Sequence, residues 1–400
     1  MKSRAAVIYG EGQEFKVEEI EVDDPSEGEV LIHIAASGLC HSDYHMVTGE
    51  WTGNLYYPMV GGHEGAGIVE KVGPGVTKVK PGDHVLLTFM PACGTCRFCS
   101  MGQSFICDRG AGLIAGPQMD GTFRMHNQGG QDLGQFCHIS TLSEWTVAPQ
   151  ESVVPIPEYF DLEKICIVGC CVPTGFGSAV NSADVQPGET VVIIGIGGVG
   201  INAVQGAAVK GASQVIAVDL VDFKLEMAEE LGATHTINAN QQDPVERVLE
   251  LTNGVGADKS IVTIDNVLPE HVGQAFRALR KGGRAVITGI ARGDIGHIDV
   301  SPQELTMYAK EVIGTFYGHS PVHADLARYL DLYRVGKVKV DELTTRTYTL
   351  DEVNQGFQDM LDGKNIRGVV SYGWATGHDA EAGGPAFSAE GAVTGRDGEA

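Results

Sequence analysis

The stretch from Thr190 to Asp219 reads TVVIIGIGGVGINAVQGAAVKGASQVIAVD, and it decides the fold of this chain. Its first residues are mostly β-branched and predict a strand, which leads directly into the glycine-rich turn Gly195–Gly200 and then into a helical segment. Glycines have no Cβ, so the backbone can approach a pyrophosphate closely, and the helix N-terminus offers it free N–H groups. The next predicted strand ends at Asp219, where a carboxylate can accept hydrogen bonds from ribose hydroxyls. The stretch therefore predicts a dinucleotide-binding unit.

The residues after this unit favour NAD over NADP. The Asp219 carboxylate would repel a 2′-phosphate, and Leu220 and Val221 follow it without an arginine to hold one. Lys224 is a candidate for a further ribose contact. The cofactor-binding residues predicted from the motif are Gly195, Gly197, Gly198, Gly200, Asp219 and Lys224. The alternative interpretation is a glycine-rich turn in an α/β protein that binds no nucleotide.

The pattern of apolar segments predicts an α/β protein with two kinds of structure. Up to about residue 165, short apolar runs alternate with Gly and Pro turns, which indicates a compact β-rich domain. From Thr190 onward, β-branched strands alternate with helical segments, as in a doubly wound parallel sheet. We expect a first domain over 1–171, a dinucleotide-binding domain over 172–316, a return to the first domain over 317–373, and a disordered tail over 374–400, because that tail has few large apolar side chains to bury.

Composition excludes several classes of partner. The 400 residues are 43% hydrophobic and carry a formal net charge of -24. The negative charge disfavours binding to nucleic acid and to anionic membranes. The apolar run near the N-terminus is too short for a signal peptide or a membrane span. We therefore expect a cytoplasmic enzyme that acts on a small molecule.

Four of the nine cysteines form a compact metal-binding pattern. Cys93, Cys96, Cys99 and Cys107 have the spacing C-x2-C-x2-C-x7-C on a loop with Gly and Pro. Four thiolates can enclose a zinc ion tetrahedrally without an open position, so the predicted site is structural. An iron–sulfur cluster and four unliganded cysteines are the alternatives, although ferredoxin-type runs have other spacings.

A second set of metal ligands is dispersed along the chain. Cys40, His63 and Cys170 each lie in a glycine-rich segment, but spacing alone does not join them. Two thiolates and one imidazole would leave a fourth position on zinc for a substrate oxygen. Alcohol dehydrogenases are the known example of a catalytic zinc held by two cysteines and one histidine.

Five motifs occur in a recognisable order: GLCHSD (38–43), GGHEGAG (61–67), the four-cysteine loop, GCCVPTGFG (169–177) and GIGGVG (195–200). In these motifs residues 1 to about 373 resemble the zinc-containing medium-chain dehydrogenase/reductase superfamily. The segments 198–208 and 353–368 further resemble the nicotinoprotein, NDMA-dependent alcohol dehydrogenases. The resemblance implies a β-rich, GroES-like catalytic domain combined with a Rossmann domain.

The same resemblance implies roles for individual residues. Cys40, His63 and Cys170 would hold catalytic zinc, with Glu64 behind the metal and Asp43 orienting His63. Ser42 would take the alcohol proton and His45 would form the exposed end of the relay. Further implied positions are Thr174, Val199 and Arg367 at the cofactor, His41 where several relatives place an arginine on the pyrophosphate, and Phe89 in the substrate pocket. Cys171 stands beside Cys170, and the sequence does not prove which thiol is the ligand; motif position favours Cys170.

The predicted function is a zinc-dependent alcohol dehydrogenase with two zinc ions and NAD. The resemblance implies that NAD is either exchanged or kept bound and reoxidised by an external acceptor such as mycofactocin, in a homo-oligomer of undetermined size. A thiol-adduct formaldehyde dehydrogenase is one alternative. A non-catalytic zinc- and nucleotide-binding protein is the other, and the presence of the complete relay argues against it.

Overall fold

The computed structural model describes residues 1–50 and 55–375. Residues 376–400, which make up nearly all of the tail predicted to be disordered, lie outside the described residues. Trp374, the first residue of that predicted tail, stacks on His33 with ring centroids 4.1 Å apart, and its indole N–H donates to the Ile34 carbonyl at 2.8 Å. The packed part of the chain therefore extends to at least Trp374.

The first part of the chain consists of short strands, as predicted. They are β1 (Lys2–Ile8), β2 (Lys16–Val22), β3 (Glu29–Leu39), β4 (Met59–Val60), β5 (Glu64–Val72), β6 (His84–Thr88), β7 (Met125–Asn127), β8 (Asp132–Gln135), β9 (Trp145–Pro149) and β10 (Val153–Pro155). Strands β1, β2, β7, β8 and β4 close a small barrel, while β10, β6, β5 and β3 lie side by side in a second sheet, with β9 also paired to β3. The helices of this part are α1 (His41–Thr48), α2 (Arg97–Ser100), α3 (Leu162–Ile165) and α4 (Cys171–Gly177).

The middle of the chain forms the parallel sheet that the glycine-rich stretch predicts. Its strands are β11 (Thr190–Ile194), β12 (Gln214–Asp219), β13 (His235–Asn238), β14 (Ala257–Val262), β15 (Leu279–Ile287) and β16 (Glu311–Gly314), and its helices are α5 (Gly198–Val209), α6 (Asp222–Glu230), α7 (Pro244–Leu251), α8 (Pro269–Arg277) and α9 (Pro302–Met307). The strand order is β13-β12-β11-β14-β15-β16, and all pairs are parallel. The order reverses between β11 and β14, and a cleft for a ligand is expected at such a reversal. The predicted α/β class, a β-rich part combined with a doubly wound parallel sheet, is confirmed.

The end of the described chain returns to the first part. It comprises α10 (Val322–Arg334), β17 (Thr344–Tyr348), α11 (Val353–Leu361) and β18 (Arg367–Ser371). Strand β18 pairs antiparallel with β3, so that Gly368 lies opposite Leu39. This pairing brings Arg367 close to Cys40, the residue that follows β3.

No single helix among the described residues is long and apolar enough to cross a membrane. One pair of helical segments, Leu162–Gly169 and Cys171–Ser182, reaches the required length and composition only as a unit bent by 53°.

Candidate active site

Three side chains from distant segments converge beside the parallel sheet. Cys40 precedes α1, His63 precedes β5, and Cys170 precedes α4. Their ligand atoms all lie within 4.8 Å of one another, and all three residues are buried. The structure thus brings together the residues that spacing alone could not join.

The surroundings of this cluster suit a divalent metal. Asp43 Oδ2 lies 3.0 Å from His63 Nδ1, and Asp43 Oδ1 accepts a hydrogen bond from the Gly62 N–H at 2.7 Å, so Asp43 can fix the orientation of the ring. Burial alone would lower the pKa of His63, but Asp43 and the Cys40 thiolate raise it to about 10. The hydrogen bond from the Cys170 thiol holds the pKa of Cys40 well below its usual range. Two buried sulfurs and one oriented imidazole are a donor set that zinc accepts.

The sulfur of Cys171 points away from the three converging ligands. It lies 3.5 Å from the Ile167 carbonyl oxygen and 4.0 Å from the Asn202 side-chain nitrogen, and burial raises the pKa of this thiol. Its backbone N–H lies 3.4 Å from Glu64 Oε2. Cys171 therefore faces the site with its backbone N–H, which points at Glu64, and not with its sulfur.

A buried ion pair lies behind the cluster. Arg367 Nη2 contacts Glu64 Oε1, and both side chains are almost completely buried. The Arg367 chain packs on the turn before α5, where a Cβ at Gly198 would come within 2.3 Å of its Cδ. Sequence reasoning placed Glu64 near the metal and Arg367 at the cofactor, but it missed their pairing. No local signal in the sequence could have found it, because the contact depends on β18 pairing with β3, which in turn pairs with β5.

The two predicted relay residues lie on α1 and face different surroundings. Ser42 Oγ is 3.9 Å from Cys40 Sγ, whereas the His45 ring lies between two carboxylates, those of Glu50 and Asp265. The sequence analysis anticipated neither carboxylate: Glu50 lies five residues after His45, and Asp265 follows β14 in the other half of the molecule.

The glycine-rich turn has room for a cofactor at its centre. An added Cβ at Gly200 would lie 1.8 Å from the Gly195 carbonyl oxygen, so Gly200 is required by the packing of the turn itself. A Cβ at Gly197 would meet no atom within 4 Å. Because protein packing does not require glycine at 197, the open space there fits a ligand that approaches the helix N-terminus.

The structure places the remaining predicted cofactor residues on several different elements. Asp219 ends β12, and its Oδ2 accepts a hydrogen bond from the Ile196 N–H at 2.6 Å, which ties the carboxylate to the turn. Thr174 lies on α4, where its hydroxyl donates to the Cys170 carbonyl at 2.8 Å. Val199 lies in the first turn of α5 and Lys224 on α6. His41 begins α1, and burial lowers the pKa of its ring.

Aromatic rings line the space beside His63. The Phe89 ring packs edge-on against His63, with centroids 5.8 Å apart, and Phe136 does so at 5.5 Å. Phe316 and Tyr317 in turn pack against Phe89. The wall beside the three ligands is therefore apolar. Of the residues that form it, the sequence analysis predicted only Phe89.

The four-cysteine loop forms a separate cluster. The sulfurs of Cys93, Cys96, Cys99 and Cys107 all lie within 4.8 Å of one another. Backbone N–H groups of Cys96 and Cys99 point at the sulfurs of Cys93 and Cys96 at 3.3 and 3.4 Å, an arrangement that stabilises thiolates. The geometry fits the closed tetrahedral zinc site that the spacing predicts.

Comparisons with known proteins agree with the fold. Residues 26–158 match the family model described as alcohol dehydrogenase GroES-like domain, and residues 198–334 match the one described as zinc-binding dehydrogenase. The chain is 50% identical over 372 residues to the NDMA-dependent alcohol dehydrogenase of Amycolatopsis methanolica, covering 93% of this chain and 99% of that protein. It is 37% identical over 384 residues to the S-(hydroxymethyl)glutathione dehydrogenase of Paracoccus denitrificans, covering 93% and 100%. The crystal structure of benzyl alcohol dehydrogenase from Acinetobacter calcoaceticus has a TM-score of 0.86 and 29% identity, covering 93% and 99%.

Proposed function

Because this chain belongs to the zinc-containing alcohol dehydrogenases of the medium-chain dehydrogenase/reductase superfamily, we propose that it transfers a hydride between a small alcohol and NAD held at the turn Gly195–Gly200. The observation that carries this proposal is the convergence of Cys40, His63 and Cys170 within 4.8 Å in a buried site beside an apolar wall. When bound, zinc supplies Lewis acidity and the nicotinamide supplies the hydride acceptor.

The residues of the chain have separable tasks in this proposal. Cys40, His63 and Cys170 hold the catalytic zinc, and Asp43 keeps the His63 ring in place by its contact with Nδ1, at 3.0 Å. Ser42 accepts the hydroxyl proton of the alcohol, because its hydroxyl lies close to Cys40 on the first turn of α1. Phe89 and its aromatic neighbours exclude water from the reacting carbon. Arg367 and Thr174 position the cofactor, and the four-cysteine loop holds a second, structural zinc.

We further propose that NAD stays bound between turnovers and is reoxidised by an external acceptor, for which mycofactocin is the candidate that the family resemblance implies. The support is the 50% identity to a protein named NDMA-dependent alcohol dehydrogenase. Asp219 favours NAD over NADP, because its carboxylate lies at the end of β12 and would repel a 2′-phosphate. In this proposal the enzyme acts in the cytoplasm as a homo-oligomer.

A single absorbance experiment tests the retained cofactor. The purified protein is mixed with benzyl alcohol or ethanol without added NAD, and absorption of reduced nicotinamide is recorded. We expect absorption equivalent to one cofactor per chain, and its loss when a nitroso dye is added. Activity that needs added NAD and saturates with it would contradict retention while leaving the dehydrogenase intact.

A thiol-adduct formaldehyde dehydrogenase is the second candidate, favoured by the 37% identity to S-(hydroxymethyl)glutathione dehydrogenase. Its discriminating property is dependence on a low-molecular-weight thiol. Formaldehyde oxidation that rises in proportion to added glutathione, with no turnover of simple alcohols, would support it over the first candidate.

A further inference from the structure

The imidazole of His45 lies between two carboxylates from different halves of the molecule. Its Nδ1 is 2.5 Å from Glu50 Oε2, and its Nε2 is 3.1 Å from Asp265 Oδ1. The second oxygen of Glu50 accepts a hydrogen bond from the Asn266 amide at 3.3 Å. Asp265 and Asn266 follow β14 of the parallel sheet, so the Nε2 partner belongs to the cofactor-binding half, and the Nδ1 partner, Glu50, is tied to that half through Asn266.

The two flanking carboxylates favour a doubly protonated ring. A carboxylate accepts hydrogen bonds, so a nitrogen on each side of the ring can donate only when both nitrogens carry a proton. Burial lowers the pKa of His45, but the contacts with Asp265 and Glu50 outweigh burial and raise it. Among the described residues, the other titratable or charged groups nearby are His41 and Arg292, and Arg292 is paired with Asp294 at 3.0 Å.

Glu50 lies between His45 and solvent. The His45 side chain is 7% exposed, whereas that of Glu50 is 25% exposed. Both residues line a cleft of about 210 Å³ whose other walls are formed by Asn266 and by residues 290–293. A proton leaving the buried ring through Nδ1 therefore meets a carboxylate that water can reach.

We propose that Glu50 continues the proton path beyond His45: it takes the Nδ1 proton and passes it to water in the cleft. In this step the Nδ1–H bond of the imidazolium breaks and an O–H bond forms on Glu50 Oε2, leaving a neutral ring that returns to the imidazolium when it takes up the proton released by the alcohol. The carboxylic acid then loses its proton to water, which balances the one proton released for each alcohol oxidised. Glu50 is thus a positioning residue that acts through His45, and the inference rests on the proposed dehydrogenase function.

The test compares Glu50→Gln, Glu50→Asp and a control, Glu311→Gln, which removes one carboxylate from an exposed ion pair with Arg284 far from the cleft. The first readout needs no catalysis: NMR titration of the labelled His45 ring. We expect its pKa to fall in Glu50→Gln, because one of the two anions that raise it is removed, and to stay close to the wild-type value in Glu50→Asp and Glu311→Gln.

The second readout is the single-turnover rate of nicotinamide reduction by benzyl alcohol, measured against pH in weak buffer. We expect Glu50→Gln to be slower by about tenfold near pH 7, which is less than the roughly 10²- to 10⁴-fold contributed by a direct general acid or base, because Glu50 acts through His45. Added imidazole should restore much of the rate, and the acid limb of the profile should move to lower pH. Glu50→Asp should retain most of the wild-type rate.

Three outcomes would overturn the inference. They are an unchanged His45 titration in Glu50→Gln, a rate that does not change, and a slower rate that neither responds to imidazole nor shifts with pH. The last outcome, if accompanied by loss of bound NAD, would mean that Glu50 only joins the two halves through Asn266. An inactive wild-type protein would instead contradict the proposed function, and the NMR titration would still report on the contact.

Discussion

Cys170 and Cys171 are adjacent in the chain but point into different parts of the molecule. The Cys170 sulfur belongs to the cluster with Cys40 and His63, while the Cys171 sulfur is directed at Ile167 and Asn202. The sequence contains two adjacent thiols of equal chemistry; motif position favours Cys170, and the backbone before α4 directs the two sulfurs to different surroundings.

We predict that Cys171→Ala keeps two zinc ions per chain and that Cys170→Ala keeps one, because alanine at 171 removes only a packed thiol. The measurement is metal analysis of the purified proteins, with the wild type as the control. Loss of zinc in Cys171→Ala but not in Cys170→Ala would reassign the ligand.

His323 is predicted to make stability depend on pH. Burial and the nearby Lys78 ammonium, 3.3 Å from its Nε2, lower the pKa of this ring to about 4. A folded-state pKa below the unfolded value of about 6.5 favours the neutral ring, so stability is lost as pH falls from about 6.5 to 4, by up to roughly 3 kcal/mol. In His323→Gln this loss should be smaller, as measured by urea unfolding at pH 7 and pH 4.5. Equal losses in wild type and variant would contradict the prediction.

At the scale of elements, the turn between β11 and α5 separates two requirements for glycine. The Gly195 carbonyl oxygen occupies the position that a Cβ on Gly200 would take, whereas the space beside Gly197 is open. Gly200 is thus required by the packing of the turn, whereas Gly197 leaves open space at the N-terminus of α5.

We predict that Gly197→Ala folds with nearly wild-type stability but binds NAD at least about tenfold more weakly, because its methyl group would enter the space left for the cofactor. Gly200→Ala should instead lower the melting temperature, since its Cβ would overlap the Gly195 carbonyl oxygen. Calorimetric titration with NAD after removal of bound cofactor, together with thermal unfolding, measures both effects. Wild-type affinity in Gly197→Ala would show that the cofactor does not approach this residue.

At the scale of the whole molecule, local sequence patterns predicted the helices and strands. The contacts between distant elements depend on how the strands pair and the two halves pack. The strand-turn-helix pattern around Gly197 and the spacing of Cys93 to Cys107 are local, so the sequence alone indicated both sites. The contact of Glu64 with Arg367 depends on strand β18 returning to β3, and that of His45 with Asp265 depends on how the two halves pack. No short-range pattern encodes either contact.

We predict that native mass spectrometry will detect an assembly whose mass is a multiple of the 42.4 kDa chain, with two zinc ions and one NAD per chain. The adjacent apolar side chains of Met307 and Tyr308, at the end of α9, are 72% and 40% exposed and would be covered in such an assembly. Mild acid should remove zinc, because thiolate ligands become protonated. One zinc per chain in protein purified with added zinc would contradict the two-site assignment.

The stacking of Trp374 on His33 has a practical consequence, since Trp145 stacks on the other face of the same ring with centroids 4.0 Å apart. Two of the three tryptophans in the chain therefore flank a single imidazole. Their ultraviolet emission should change whenever the Trp374 side chain separates from the His33 ring, which gives an optical signal for movement of this segment that needs no attached dye.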